Sequence, residues 1–374
     1  MTPERFRDRF PALGAAVYLA SCSLGARSAE LDAALAAMLA AMAEGGAAWH
    51  AFERQAQLAR QRFAALIGAR PDQIALVPNA SAGTYQIAST ADLRERRRVV
   101  VSRDEFPSVS HVWLAQRARG AEVVHVDGAG YADAVDDRVA LVSVPMTTYR
   151  DGVRMPVAET AARAHAAGAR VFVDAYQALG VEPVDVDALG CDFLVGGSSK
   201  YLLGLPGVAF LYVRETAPED LPPTLTGWFG RVDPFAFDPL RLDFPDIARR
   251  FETGTPPVPA LYAANAGLEL LDRLDPAAVR EHVRALVRAC TERLVAQGET
   301  VRAADGTDRQ GAHVALVDPD PAALAASPAQ RRVLVSPRGD VVRLAFHYYN
   351  TADDVREACD AIASCRKRHP NEVN

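Results

Sequence analysis

The stretch Gly196-Gly197-Ser198-Ser199-Lys200-Tyr201-Leu202-Leu203-Gly204-Leu205-Pro206-Gly207 holds one of only two lysines among the 41 lysine and arginine residues of this 374-residue chain. The other, Lys367, lies in a basic tail near residue 374. Arginine cannot lose its proton, whereas a partly desolvated lysine amine can lose its charge and attack a carbonyl to form a Schiff base. A chain that uses arginine for nearly all positive charge therefore suggests a covalent catalytic role for Lys200, the alternative being a surface lysine.

The composition is that of an ordinary globular protein. Apolar residues make up 49% of the chain, which is enough for a large core divided between one large and one small domain. A net charge of -6 argues against nucleic acid as the main partner, and no apolar run reaches the length of a membrane span. Since the first residues lack a signal-peptide pattern, we expect a cytoplasmic protein. The five cysteines show no metal-ligand spacing, so we expect reduced thiols and no metal.

Short β-rich runs alternate with helical stretches through the first two thirds of the chain. The predicted strands span residues 74–77, 99–102, 123–126, 139–144, 171–174, 193–195 and 208–213. Alternation of this kind is typical of an α/β fold in which helices cover both faces of a mostly parallel sheet, here with seven strands. Two long helical patterns, short strands and a closing helix follow, and they indicate a smaller α+β domain. We place the large domain at residues 15–255 and the small C-terminal domain at 256–374, with residues 1–14 packing nearby.

Ligands of open parallel sheets bind at the carboxyl ends of the strands. Asp174 ends the predicted strand 171–174, and a buried carboxylate needs a positive partner, for which a protonated pyridine nitrogen is suitable. The turn 78–84 joins a strand to a helix through small residues, whose N–H groups and hydroxyls can hold a phosphate. An ordinary helix N-cap would show the same pattern. Together with Lys200, these features describe a site for pyridoxal 5'-phosphate.

Seven segments carry a resemblance to a known family through their order and spacing. They are residues 18–25, the turn at Asn79, and residues 105–108, 174–177, 198–201, 251–256 and 343–351. On these segments the chain resembles the class V aminotransferase family of fold type I pyridoxal phosphate enzymes. That family includes cysteine desulfurases, kynureninases and isopenicillin N epimerase-like proteins. The resemblance implies the corresponding fold, a large cofactor-binding domain with a smaller C-terminal domain.

The resemblance also implies a role for each residue around the cofactor ring. Lys200 would hold the cofactor as a Schiff base and carry the Cα proton. Asp174 would keep the pyridine nitrogen protonated, and Gln177 would hydrogen-bond the 3-oxygen of the ring. Phe106 would stack on the ring face, although an aromatic residue after a strand is often simply part of the core.

Further residues are implied for the phosphate and the substrate. The phosphate donors would be Ser81, Ala82 and Ser198. Gly254 and Thr255 resemble the segment that reaches the phosphate site of the neighbouring subunit, which implies a homodimer with shared active sites. Arg343 would bind the substrate α-carboxylate, since its planar fork can grip a carboxylate with two parallel hydrogen bonds. A surface salt bridge is the alternative for Arg343.

The implied activity is chemistry at the Cα of a small amino acid, by external aldimine formation and Cα deprotonation. We favour transamination, with a lyase of the desulfurase or kynureninase type, or an epimerase, as alternatives; a non-catalytic binding module is a further one. Ser336 stands where a persulfide-type desulfurase needs a cysteine, and Cys22 is the one thiol near a pocket-lining segment of relatives. Kynureninases carry a tyrosine before the lysine and a histidine at the position of Gln177, whereas here Ser199 precedes Lys200.

Overall fold

The computed structural model describes residues 1–45, 48–128, 130–215, 221–303 and 309–368. The strands in these ranges, in chain order, are β1 (Val17–Tyr18), β2 (Ile74–Val77), β3 (Arg98–Ser102), β4 (Glu122–Val126), β5 (Val139–Pro145), β6 (Arg170–Asp174), β7 (Phe193–Gly197), β8 (Ala209–Val213), β9 (Val301–Arg302), β10 (His313–Val317), β11 (Val333–Leu334), β12 (Ser336–Arg338) and β13 (Val341–Ala345). Three sheets result from them.

The α-helices surround these sheets. In chain order they are α1 (Pro3–Arg7), α2 (Ala29–Gly45), α3 (Trp49–Ile67), α4 (Ala80–Thr90), α5 (Pro107–Ala115), α6 (Tyr131–Ala134), α7 (Val157–Ala166), α8 (Val186–Leu189), α9 (Val258–Leu271), α10 (Pro276–Ala296), α11 (Pro321–Ala329) and α12 (Ala352–Arg368). Within the described part of the chain, no helix combines the length and the apolar character needed to cross a membrane.

The largest sheet has seven strands in the order β2-β8-β7-β6-β5-β3-β4. Strands β3 to β7 are mutually parallel, and β8 runs antiparallel to both β7 and β2. The predicted mostly parallel α/β sheet is therefore confirmed. Strands β7 and β8 are buried along their whole length, which is why their sequences are nearly continuous apolar runs. Since β6 and β7 are parallel neighbours, with Asp174 in register with Val195, their carboxyl ends meet at one edge.

A second sheet of four antiparallel strands, in the order β12-β13-β10-β9, forms the smaller C-terminal part. The first residues of the chain pack against this part. Phe6 stacks on His347 with ring centroids 5.7 Å apart, and Arg7 pairs with Asp354 at 2.8 Å. The strand β1 adds a parallel pairing with β11. The division at residues 255 and 256 stays a prediction, and α9 just beyond it packs on α2 and α3.

The turn that carries Lys200 is held by glycines on two sides. The N–H of Gly25 donates to the carbonyl of Ser199 at 2.8 Å, and a Cβ at Gly25 would overlap the Lys200 carbonyl oxygen. On the other side, Gly267 of α9 lies against the carbonyl of Leu202, which a Cβ would also overlap. The backbone around Lys200 is thus positioned by close main-chain packing as well as by the sheet.

We expect Gly267→Ala to destabilise the protein by about 1 to 3 kcal/mol, because overpacking against main chain has no flexible side chain to relieve it. A loss of stability would be diagnostic, since alanine otherwise stabilises the interior of a helix by about 1 kcal/mol relative to glycine. Urea unfolding followed by circular dichroism measures the change. Gly14→Ala is the control, because a Cβ there has nothing within 4 Å. An unchanged or raised unfolding midpoint in Gly267→Ala would contradict the close packing.

Candidate active site

A cavity of about 290 Å³ opens at the carboxyl ends of β5, β6 and β7, where the large sheet faces the smaller part of the chain. This is the expected position for a ligand in an open parallel sheet. The predicted site residues that line it are Phe106, Asp174, Gln177, Lys200 and Arg343. The cavity therefore brings together an amine, a carboxylate and a guanidinium from three separate parts of the chain.

Lys200 lies three residues beyond the end of β7 and extends its amine between two aromatic rings. Its Nζ lies 5.2 Å from the ring centre of Tyr176 and 5.4 Å from that of Phe106. Removal from bulk water lowers the pKa of Lys200 to about 8, although the negative charge of Asp174 opposes the fall. A substantial fraction of this amine is consequently neutral, and nucleophilic, near neutral to mildly alkaline pH.

Asp174 is the last residue of β6 and is buried. Its Oδ1 accepts a hydrogen bond from the N–H of Tyr176 at 2.8 Å. Burial raises the pKa of the Asp174 carboxyl, while the Tyr176 N–H and the positive charge of Lys200 act in the opposite direction. A cation in the cavity would therefore stabilise the ionised form of Asp174.

Glu105 supplies a second buried carboxyl group, to which sequence reasoning assigned no role. Its Oε1 accepts the N–H of Phe106 at 2.9 Å, and the residue lines the same cavity as Asp174. Burial, followed by the negative charge of Asp174, raises the pKa of Glu105 well above its ordinary value. Burial thus favours the neutral form of Glu105 beside an ionisable partner. Its place shortly after β3, at the same sheet edge, is the sequence signal that could have identified it.

Gln177 is buried against the cavity and tied to the segment that contains Cys22. Its Nε2 donates to the carbonyl of Cys22 at 3.0 Å, and its Oε1 has no hydrogen-bond partner among the described residues. Cys22 is buried and also lines the cavity. A buried amide oxygen without a partner is costly, so this side chain is prepared for a ligand group.

The turn before α4 lies at the cavity wall through Pro78, Asn79 and Ala80. The Ala82 N–H donates to Asn79 Oδ1 at 3.0 Å, which is a helix N-cap, and Ser81 Oγ donates to the Ser108 carbonyl at 3.3 Å. The start of α4 is therefore an N-capped helix end that also lies where a phosphate is expected.

The five residues predicted for the phosphate do not line the cavity: Ser81, Ala82, Ser198, Gly254 and Thr255. Ser198 Oγ donates to the carbonyls of Leu205 and Val208, at 2.6 and 3.2 Å, and so supports the Lys200 turn. Gly254 and Thr255 are exposed on the surface. Their roles toward a phosphate stay predictions.

Arg343 lies on β13 with its side chain fully buried. Its Nη1 donates to the Tyr149 carbonyl at 2.7 Å and its Nη2 to Ser336 Oγ at 2.8 Å. Both partners are neutral oxygens, and within the described ranges no carboxylate forms an ion pair with this guanidinium. A buried cation held by neutral groups is prepared for an anion. Ser336, at the position where a thiol was considered, positions Arg343.

The chain is similar to known proteins in sequence and in fold. The family model described as aminotransferase class-V matches residues 34–357. The chain is 36% identical over 367 residues to the uncharacterized aminotransferase YcbU of Bacillus subtilis (strain 168), covering 97% of the chain and 98% of that relative. It is 32% identical over 289 residues to the kynureninase of Deinococcus radiodurans, covering 74% of the chain and 70% of the kynureninase.

A solved structure with the same fold is that of a C-DES mutant in which glycine is covalently linked to the PLP cofactor. The TM-score is 0.88 at 20% sequence identity, over 96% of this chain and 98% of the other. C-DES, which is also known in complex with cysteine persulfide, is a cystine C-S lyase. At this identity the likeness concerns the fold, and it confirms the predicted fold class.

We expect the pKa of Lys200 to respond in opposite directions to removal of its two charged neighbours. Asp174→Asn removes a negative charge that favours the ammonium form, so the pKa falls below about 8. Arg343→Gln removes a positive charge that disfavours the ammonium form, so the pKa rises above about 8. The rate at which limiting acetic anhydride labels the Lys200 peptide, followed by mass spectrometry across pH, measures both shifts. Shifts of the same sign in the two variants, each with a native circular dichroism spectrum, would contradict the charge arrangement.

Proposed function

This chain belongs to the class V aminotransferase family of enzymes, and we propose that it uses pyridoxal 5'-phosphate to act at the Cα of a small amino acid by transamination. The observation that carries the proposal is the cavity in which Lys200, Asp174 and Arg343 meet. These are a nucleophilic amine, an anion for a ring nitrogen and a cation for a substrate carboxylate. The Bacillus subtilis relative, named an aminotransferase and aligned over nearly the whole chain, supports the choice of transamination.

The residues present fit this cofactor. Asp174 is a buried carboxylate that a protonated pyridine nitrogen would match, and Phe106 offers a flat ring at the wall. The amide of Gln177 has an oxygen without a partner among the described residues. The start of α4 lies at the wall of the same cavity, and a helix N-terminus is a suitable place for a phosphate. When bound, the cofactor supplies a ring that accepts the electron pair left when a bond to Cα breaks.

The chain's own residues perform the remaining tasks. Arg343, already fixed by Tyr149 and Ser336, orients the substrate through its α-carboxylate. Lys200 would serve as the base that takes the Cα proton and then as the acid that delivers a proton to a different atom, because a pKa near 8 allows both protonation states. Burial raises the pKa of Glu105 and so favours its neutral form, which reduces its repulsion of the Asp174 carboxylate. Reprotonation away from Cα gives transamination.

We expect the holoenzyme to form a keto acid from an amino acid only when a 2-oxo acid acceptor is supplied, and we expect Lys200→Ala to abolish this turnover. Lys367→Ala is the matched control, since Lys367 is the other lysine and is exposed on α12, so its activity stays at the wild-type level. Product analysis by liquid chromatography, with and without the acceptor, checks both statements. Pyruvate or alanine formed without an acceptor would instead identify the lyase alternative. Full turnover by Lys200→Ala would eliminate the mechanism.

The proposed enzyme is a homodimer with shared active sites. One surface groove contains Trp49, Phe229 and Phe235, and Phe237 beside it is 70% exposed. A contiguous apolar patch of this kind is typical of a protein interface. A second copy of this chain would cover the patch, and the exposed segment with Thr255 would then reach the active site of that copy. In such a dimer, Thr255 of one subunit completes the phosphate site of the other.

We expect two inactive variants, Lys200→Ala and Thr255→Arg, to regain about one quarter of wild-type activity when they are co-expressed. Random assortment makes half of the dimers mixed, and each mixed dimer has one site with intact Lys200 and intact Thr255. Activity of the purified mixture, with light scattering for the molecular mass, checks this. Absence of recovery in a mixture of dimers would show that each site is built from one subunit, and a monomeric mass would contradict the dimer itself.

A further inference from the structure

A second arginine, Arg338, lines the cavity and has no task in the proposed mechanism. It ends β12, where Ser336 is in register with Arg343 of β13. Residues two apart on a strand share a face, so Arg338 and Arg343 are diagonal neighbours on the same face of this antiparallel pair. Such neighbours lie about 7 to 8 Å apart at the backbone, within reach of two long side chains that converge on one ligand.

The acidic residues near Arg338 are already paired with other arginines. Asp340 pairs with Arg302 at 2.6 Å, and Asp151 pairs with Arg302 at 3.2 Å and with Arg150 at 3.3 Å. Asp104 lies 3.7 Å from Arg150 as well. In the part of the chain that the structure describes, Arg338 itself makes no ion pair and no hydrogen bond. Its charge nevertheless acts inside the cavity, because it contributes, with that of Arg343, to the lowered pKa of Lys200.

A simple amino acid would leave one arginine of the cavity without an anionic partner. In the proposed function, Asp174 would pair with the ring nitrogen of the cofactor and Arg343 with the substrate α-carboxylate. Arg338 then remains as an unmatched cation beside the substrate. A guanidinium in this position favours a carboxylate, which it can bind through two parallel charge-assisted hydrogen bonds.

We propose that Arg338 binds a second carboxylate of the substrate, so that the enzyme acts on dicarboxylic amino acids and their 2-oxo acid counterparts. This inference rests on the proposed function, since it identifies the residue that binds the side chain of the same substrate. Arg338 is exposed and lies at the end of its strand. Its replacement therefore removes the charge without disturbing the core.

Isosteric substrate pairs test the assignment in the holoenzyme. We expect Arg338→Gln to lower kcat/KM for glutamate and aspartate by about 10- to 100-fold, the usual range for a lost charged hydrogen bond. The values for glutamine and asparagine, which differ only by an amide in place of the second carboxylate, stay within about twofold of the wild-type values. Arg331→Gln is the matched control, because it removes the same charge from an exposed position that does not line the cavity. Equal losses for acid and amide substrates, or no loss for either, would overturn the proposal.

A binding measurement separates this proposal from the proposed function. Calorimetric titration of the holoenzyme with glutarate and with its monoamide requires no turnover. We expect wild-type protein to bind glutarate at least about tenfold more tightly than the monoamide, and Arg338→Gln to lose this preference. If the protein prefers glutarate through Arg338 but transaminates no amino acid, the carboxylate site at Arg338 is supported and the proposed transamination is wrong. If the protein transaminates amino acids but shows no such preference, transamination is supported and the carboxylate site at Arg338 is wrong.

Discussion

The electrostatic attraction between the opposite charges of Lys200 and Asp174, which line one cavity, is the constraint on which the site depends. Either charge alone would be costly to bury, and each offsets part of the cost of the other. The interaction exists because β6 and β7 are parallel neighbours whose carboxyl ends meet. The sheet thereby places an acid and an amine together without direct sequence proximity, and desolvation keeps the amine close to its neutral, reactive form.

The remaining charges are arranged around this pair so that one negative and several positive groups face a ligand. Burial raises the pKa of Glu105 and so favours its neutral form, which would repel Asp174 less than a carboxylate. Arg343 is held by neutral oxygens from Tyr149 and Ser336, so its charge stays available to an anion. An anionic cofactor and an anionic substrate are what such a cavity attracts. The serine at position 336 also has a structural explanation. Its hydroxyl orients the Arg343 guanidinium, and a thiol of the desulfurase type would not hold that guanidinium in this way.

Much of the fold follows from local patterning. Each predicted run between residues 74 and 213 is a strand of the large sheet, with ends that differ by no more than two residues, since buried parallel strands are distinct apolar runs. The positions of Asp174 and Lys200 at the carboxyl ends of strands indicated that they share one cavity, whereas Arg343, which lies inside β13, was indicated by the family resemblance. Less accessible were the contacts between distant segments. Tyr149 binds Arg343 across 194 positions, and the neutral state of Glu105 depends on desolvation that no local pattern records. The helix α11 was also missed, because a short alanine-rich stretch gives a weak periodic signal.

The most direct test of the account is to reduce the cofactor-loaded protein with sodium borohydride and to map the modified peptide by mass spectrometry. Lys200 and Lys367 are the two lysines available, so the assignment is unambiguous. We expect the reduced pyridoxal phosphate adduct to lie on the peptide that contains Lys200, and we expect Asp174→Asn to weaken cofactor retention. A protein that carries no adduct after loading, or an adduct on Lys367 alone, would show that the Lys200 amine and the Asp174 carboxylate do not form the cofactor site.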